Sequence, residues 1–267
     1  MSFSDEEISR YKRHLILKDV GGPGQQKLKK ASVLVVGAGG LGSPVLCYLA
    51  AAGVGTLGII DDDVVSLSNL QRQIIHATDL VGVAKTVSAT TAIERINPHV
   101  KVISYQARLD AQNALEILQQ FDLVVDGSDN FATRYLVNDA CFLAKKPLVS
   151  AAVGPFDGQL SLFKPFENGP AGDPNPSYRC LFPKAPSDDS VPNCSQTGIL
   201  GAVVGVMGTL AAMEVLKELI GLGDGLVGRL MIYDALAPRF TTINFGWDKN
   251  NPLNGKSANI TDLGAHL

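Results

Sequence analysis

The chain is poor in the residues that build extracellular or metal-stapled folds. Its 267 residues include four cysteines, at positions 47, 141, 180 and 194, and no two of them stand in C-x-x-C spacing. That excludes a disulfide framework and a complete cysteine-held zinc site, and it points to a reducing compartment, the cytoplasm. Four histidines, at 14, 76, 99 and 266, share no spacing motif. Charge of one sign is also missing: 23 Lys and Arg stand against 26 Asp and Glu, a formal net charge of −3. No basic field exists to hold nucleic acid. The one local cluster, Lys27, Lys29 and Lys30, reads as a solvated helix face. The start, MSFSDEEISRYKRHLIL, has early acids and no apolar run of signal-peptide length. One charge-free stretch, Cys194 to Met213, has 20 residues and could cross a bilayer by length alone. It holds Ser195, Gln196 and Thr197, and then Gly201, Gly205 and Gly208 at small-residue spacing. It therefore reads as a buried core or dimer-interface helix, and no membrane partner is expected.

The feature that organises the rest is residues 33–63, VLVVGAGGLGSPVLCYLAAAGVGTLGIIDDD. A run of four apolar residues ends in a G-x-G-x-x-G, a small-residue helix follows, and a second apolar run ends in three aspartates. The grammar is strand, tight turn, helix, strand. Gly37 lets the chain turn off the strand, Gly39 lets the backbone approach a phosphate, and Gly42 lets the helix pack against the sheet. The helix N-terminus is an anion site, and Asp61 stands where an acid suits a ribose hydroxyl. The motif says nucleotide without saying which, so a nicotinamide cofactor stays open at this point.

Residues 4–17 read as an amphipathic helix, with Ser4 and Glu7 as a capping box and Ile8, Tyr11 and Leu15 on one face. Arg10 and Arg13 then point away from the core, as solvated charges or as an arm carrying an arginine to a phosphate. Gly21-Gly22-Pro23-Gly24 breaks the chain before a short helix, Gln25–Lys30. Helices are expected at about 83–96, 110–120 and 131–144, and strands at 100–105, 123–125 and 148–152. Alternation of strand and helix gives a Rossmann-like doubly wound sheet, mainly parallel. Antiparallel strands at 158–164, 226–234 and 240–245 extend it in the C-terminal part. Between them, 165–193 is rich in proline and lacks a hydrophobic period, an exposed loop. A helix at 199–220 follows, and the tail from Trp247 is polar and poorly ordered. Ligands of such sheets bind beyond the carboxyl ends of the strands, where Asp61, Asp63, Asp129 and Asn130 all fall.

Three consecutive aspartates exceed what a nicotinamide site needs. Asp61 can hold a ribose while Asp63 or Asp129 approaches a divalent cation, since magnesium is usually held by one or two carboxylates plus phosphates. Asn69, Gln71, Arg72 and Lys85 supply donors and positive charge suited to a triphosphate. The plain alternatives are a surface ion pair for Arg72 and a solvated helix-start charge for Lys85.

The glycine turn, Ile59–Asp63, Ser66-Leu67-Ser68-Asn69-Leu70-Gln71-Arg72-Gln73, Asp126–Asn130 and Cys194–Gly198 together resemble the ThiF/MoeB/HesA family. These are sulfur-carrier-protein adenylyltransferases related to ubiquitin-activating enzymes. The resemblance covers residues 4 to 245, and Cys194 to Leu219 looks closer to the thiamine-type branch. It implies a single adenylation domain over 1–245, with the N-terminal arm (4–17), a long crossover loop (165–193) and a separate polar tail (246–267). It also implies that ATP and magnesium activate the C-terminal glycine of a ubiquitin-fold carrier ending in Gly-Gly, with a cysteine desulfurase or rhodanese-type protein as sulfur donor. Carried over, Gly40 contacts phosphate, Asp61 the ribose, and Asn69, Arg72 and Lys85 the phosphates. Ser68, Leu70 and Gln71 line the nucleotide, and Asp129 helps hold magnesium with Asn130 beside it. Arg13 reaches the triphosphate from the partner of a homodimer, and Cys194 is the candidate for a covalent acyl-disulfide link. The family's zinc, held by two C-x-x-C pairs, is expected to be absent: Ser177-Tyr178-Arg179-Cys180 keeps one thiol and Asn251-Pro252-Leu253-Asn254 keeps none. A looser loop and tail would follow. Alternatives kept are adenylation of a peptide, another carboxylate or a tRNA base, and an NAD-dependent oxidoreductase.

Overall fold

The structure is a computed structural model and describes residues 3–186 and 198–267. Its N-terminal arm is two short helices, α1 (Asp5–Arg10) and α2 (Lys12–Leu15), not one. The capping box forms as read: Ser4 Oγ accepts Glu7 N at 3.2 Å and Glu7 Oε2 accepts Ser4 N at 2.8 Å. The break falls at Tyr11, whose ring is buried over Gly53 and whose hydroxyl accepts a 2.8 Å bond from Asn97 Nδ2. Ile8 is exposed, so the stripe read from the sequence is not a core face. The buried partner on α1 is instead Glu7, ion-paired to Lys29 at 2.7 Å. Helix α3 (Gly21–Lys30) starts four residues earlier than the glycines suggested. Pro23 sits in its first turn, where a missing N–H costs nothing and the fixed φ suits a helix.

Then come β1 (Ser32–Val36), α4 (Gly42–Ala52), β2 (Thr56–Ile60), α5 (Lys85–Ile96), β3 (Lys101–Tyr105), α6 (Ala114–Leu118), β4 (Leu123–Asp126), α7 (Phe131–Leu143) and β5 (Leu148–Val153). Helix α6 is shorter than expected because the Asp110 carboxylate accepts from Gln112 N and Asn113 N, and Asn113 Oδ1 from Asp110 N. Those side-chain bonds make a turn in place of helix. The antiparallel part is β6 (Asp157–Phe163), then α8 (Tyr178–Leu181), α9 (Gly201–Ile220), β7 (Arg229–Asp234) and β8 (Arg239–Asn244).

All eight strands form one sheet, ordered β3-β2-β1-β4-β5-β6-β7-β8. Neighbours from β3 to β5 pair in parallel and the rest antiparallel. Strand order reverses between β1 and β4, so a crevice opens at their carboxyl ends. Strand β1 shows why the sheet carries a layer on each face: Val33 and Val35 enter one core and Leu34 and Val36 the other. Each such side chain, fully buried, contributes about 1.5–3 kcal/mol relative to exposure. The charge-free α9 belongs to the core, lying on α4, β5 and β6. Gly208 permits the approach, because a Cβ there would stand 2.3 Å from Pro44 Cγ and 2.7 Å from Leu41 O. Among the described residues no helix is long and apolar enough to cross a membrane.

The segment from Trp247 is not a loose tail. Asn251 and Leu253 are each 1% exposed and Leu263 4%. Asn251 Nδ2 donates to Ser177 Oγ at 2.8 Å and Cys180 Sγ at 2.9 Å, and Asp248 N approaches the same sulfur at 3.4 Å. Residues 165–182 are likewise anchored, with Ser177 and Tyr178 buried and Arg179 paired to the buried Asp139 at 2.6 Å. A composition read as solvent-facing hides asparagines that serve as buried hydrogen-bond partners.

Candidate active site

The crevice at the switch point is a cavity of about 750 Å³. Its floor is the glycine turn after β1. Gly37 has φ +91°, a conformation glycine adopts without strain, and a Cβ at Gly42 would lie 1.9 Å from Gly37 O. The same Cβ would stand 3.5 Å from Val35 Cγ1 on β1, so Gly42 lets the first turn of α4 close against both the glycine turn and the strand. Gly37, Gly39 and Gly40 line the cavity and Gly42 does not.

Asp61, at the end of β2, grips this turn. Its Oδ2 accepts Ala38 N at 2.8 Å and its Oδ1 accepts Asp63 N at 2.9 Å. Burial raises its pKa, against the pull of Lys85 and of the two N–H bonds. Lys85, the first residue of α5, is not a solvated helix-start charge. Its side chain is 6% exposed, with Nζ 2.7 Å from Asp63 Oδ2 and 4.0 Å from Asp61 Oδ1. Asp62 is exposed. Arg72 also reaches the cavity, donating to Ser68 O at 3.1 Å. It forms no carboxylate pair among the described residues, so its positive charge faces the cavity without a protein counter-ion.

The opposite wall follows β4. Asp126 is fully buried, and its Oδ1 accepts Ser128 N at 3.0 Å and Ser128 Oγ at 2.6 Å. Arg134 completes this support: Nη2 donates to Ser128 O at 3.0 Å and Nε lies 3.6 Å from Asp126 Oδ2. The loop so fixed presents Asp129 and Asn130 to the cavity. Asn130 has a second task, capping α7 by accepting Thr133 N at 2.9 Å. The Asp129 carboxylate is exposed, with Asn130 Nδ2 approaching at 3.5 Å.

The structure thus gathers Gly37, Gly39, Gly40, Asp61, Asp63, Arg72, Lys85, Asp129 and Asn130 around one cavity. It leaves Ser68, Asn69, Leu70 and Gln71 outside the wall. Asn69 Oδ1 caps the 3₁₀ turn Leu67–Asn69 by accepting Ser66 N, Ser68 and Gln71 are exposed, and the Gln71 carbonyl packs beneath Gly201. Arg13 is exposed and lies outside this chain's own cavity. Cys194 falls outside the described residues; Pro186 and Ile199, on either side of that stretch, line the cavity. Three contributors were given no role on sequence grounds. Arg134 and Asp126 shape the Asp129 loop, and Gln73 is a buried wall residue whose Oε1 has no partner among the described residues. The spacing Asp126…Asp129…Arg134 was the available signal for the first two.

No group of three or more His, Cys, Asp or Glu side chains among the described residues could hold a metal by itself. Two cations, exposed carboxylate oxygens and turn amides that meet no acceptor among the described residues suit a polyanion with a divalent ion held partly by that polyanion.

Comparison with known proteins places the chain among relatives of one family. A sulfur carrier protein adenylyltransferase of Thermus thermophilus is 49% identical over 264 residues, 98% of this chain and 96% of its own length. Mycobacterium tuberculosis MoeZ, named a probable adenylyltransferase/sulfurtransferase, is 48% identical over 94% of this chain and 63% of its own length. For Xenopus laevis MOCS3, named adenylyltransferase and sulfurtransferase, the identity is 47% and the shares are 93% and 53%. The chain therefore spans less than two thirds of each of these two. Among solved structures, E. coli MccB with succinimide superposes with a TM-score of 0.80 at 22% identity, covering 96% of this chain and 75% of that one. That likeness shows the fold. Residues 11–253 match the ThiF family, and the chain belongs to it.

Proposed function

We propose that the protein is an adenylyltransferase that uses ATP to activate the C-terminal glycine carboxylate of a ubiquitin-fold sulfur-carrier protein. The observation that carries this reading is the convergence of the glycine turn, Asp61, Arg72, Lys85 and Asp129 on one crevice. The name of the Thermus thermophilus relative, aligned over nearly both whole chains, supports it.

The chemistry follows from the charges. A carboxylate oxygen of the carrier forms a bond to the α-phosphorus of ATP. The bond from that phosphorus to its bridging oxygen breaks, and pyrophosphate leaves with the electron pair. No proton has to move, because a carboxylate is already ionised at neutral pH. The protein's work is to bring two anions together and to offset the charge on the leaving group. Arg72 and Lys85 face the cavity with that charge, and the buried position of Lys85 strengthens its effect. Asp61 offers its remaining lone pairs to a ribose. Asp129 is the carboxylate that fits a magnesium ion, which when bound would neutralise phosphate charge.

Arg13, exposed on the arm and absent from this chain's cavity, suits a homodimer in which each arm serves the partner's crevice. Ser177, Cys180, Asn251 and Asn254 offer one thiol, and Asn251 is already bonded to Ser177 and to that thiol, so the donor set does not suit zinc. Cys47, Cys141 and Cys180 are free thiols, which supports a reducing, cytoplasmic setting. The sulfurtransferase activity named for MoeZ and MOCS3 is not carried over, given the shares of those chains that align.

The test is pyrophosphate exchange into ATP with magnesium and carriers ending in Gly-Gly. Exchange dependent on one such carrier is expected. Normal ATP binding with no exchange for any carrier would reject the reading, and oxidation of a bound nicotinamide would favour an oxidoreductase.

A further inference from the structure

His76 belongs to no motif and does not line the crevice, yet it is 8% exposed and both ring nitrogens are bonded. Its Nε2 lies 2.9 Å from Ala38 O and its Nδ1 2.8 Å from Ser88 Oγ. A carbonyl can only accept, so Nε2 carries the proton and Nδ1 accepts from the Ser88 hydroxyl. Burial lowers the pKa of the ring, in keeping with that neutral form.

Ala38 is the second residue of the glycine turn. Its N–H is held by Asp61 at 2.8 Å and its carbonyl by His76, so the residue is gripped on both sides. In a trans peptide the carbonyl and the following N–H point in opposite directions. Holding Ala38 O toward His76 therefore aims Gly39 N–H away from it. Gly39 lines the cavity, and its N–H meets no acceptor among the described residues. Ser88 lies on α5, one turn beyond Lys85. His76 thus ties together the turn that offers the amide and the helix that offers the ammonium.

We propose that His76 is a positioning residue of the adenylation site: as a neutral Nε2–H imidazole locked by Ser88, it orients the Ala38–Gly39 peptide so that Gly39 N–H meets a phosphate oxygen of the bound nucleotide. The inference rests on the nucleotide reading given above. A hydrogen bond from an amide to a phosphate acts on ATP and not on adenosine, so the two ligands separate positioning from general loss of structure.

Calorimetric titration of both ligands against wild type, His76→Phe, His76→Gln and Ser88→Ala tests it. His76→Phe keeps a ring without a donor and is expected to weaken ATP about ten-fold or more while adenosine changes less than about two-fold. Gln places an N–H near the position of Nε2, so His76→Gln is expected to recover most of the ATP affinity. Ser88→Ala frees the ring and is expected to weaken ATP about three-fold, again without moving adenosine. Parallel losses of both ligands, or no loss of ATP in Ser88→Ala and in folded His76→Phe, would overturn the proposal. Should His76→Phe not fold, the Ser88→Ala and His76→Gln results decide alone. Unaltered variants beside a wild type that binds ATP remove the positioning role only, whereas a wild type that binds no ATP removes the nucleotide reading as well.

Discussion

At the scale of single residues, burial decides more than type. His76 is hydrogen-bonded through both ring nitrogens, and burial depresses its pKa. In the unfolded chain it titrates near 6.5. Below that pH the unfolded state takes up a proton that the folded state resists, so the stability contributed by neutral His76 is complete above about pH 6.5 and is lost as pH falls through the depressed folded pKa. Urea unfolding at pH 7.5 and pH 5.5 should therefore show a larger acid loss in wild type than in His76→Gln, whose amide does not titrate. Equal losses would remove His76 from the account. Lys85 makes the same point about legibility. That a cation followed the acidic strand end was visible in the string, but its burial against Asp63 was not, because burial depends on α5 closing over the crevice. Gln73 stood in the quoted string and its role stayed hidden, since only the packed turn places its amide 3.7 Å from a Cβ at Gly39.

Among elements, the parallel strands were the most legible, since four or five consecutive apolar residues between turn signals leave few other readings. Helix ends were less so. Pro23 looks like a breaker in a string and is accommodated in a first turn, while Tyr11 looks like helix face and instead anchors a break. The glycines of α9 show why spacing alone misleads. Gly201, Gly205 and Gly208 read as one small-residue stripe, yet nothing lies within 4 Å of a Cβ at Gly205, whereas Gly208 abuts Pro44 and the Leu41 carbonyl. Gly205→Ala is accordingly expected to stabilise the protein by up to about 1 kcal/mol through helix propensity. Gly208→Ala must push α9 off α4 and is expected to cost about 1–3 kcal/mol or more. Thermal melts of the two variants should move in opposite directions, and a shared direction would contradict the packing described.

The whole molecule depends on parts of the chain that a linear reading keeps apart. Composition made residues 246–267 look detached, but Asn251 closes over Ser177 and Cys180, and His266 reaches Asp139 at 2.8 Å. These bonds join the C-terminal segment to α7 and α8. Chelators are expected to leave the melting temperature unchanged, and Asn251→Ala, which leaves the buried Ser177 hydroxyl and the half-buried Cys180 sulfur each short of a donor, is expected to lower stability by about 1–3 kcal/mol. It should also speed proteolysis within 246–267 specifically. Stoichiometric zinc in the purified protein, or a chelator-induced drop in melting temperature, would replace this picture with a metal-bound one.

Completeness of the site is a question of the same scale. The crevice holds Arg72 and Lys85 from its own chain, while Arg13 stands exposed on an arm outside it. If a second copy receives that arm, the two defects Arg13→Ala and Lys85→Met lie in different halves of each site. Each variant alone is expected to lose pyrophosphate exchange by about ten-fold or more, since in the proposed site each would remove a charge-assisted contact to phosphate. In a heterodimer of the two, the chain with Lys85 intact receives Arg13 from its partner, so one site is whole and the other carries both losses. Random exchange of subunits at equal amounts makes half of the dimers mixed, and the expected recovery is about a quarter of wild-type activity, as two-fold symmetry requires. An arm that served its own chain would give no recovery on mixing, because every site would then carry one defect whatever its partner.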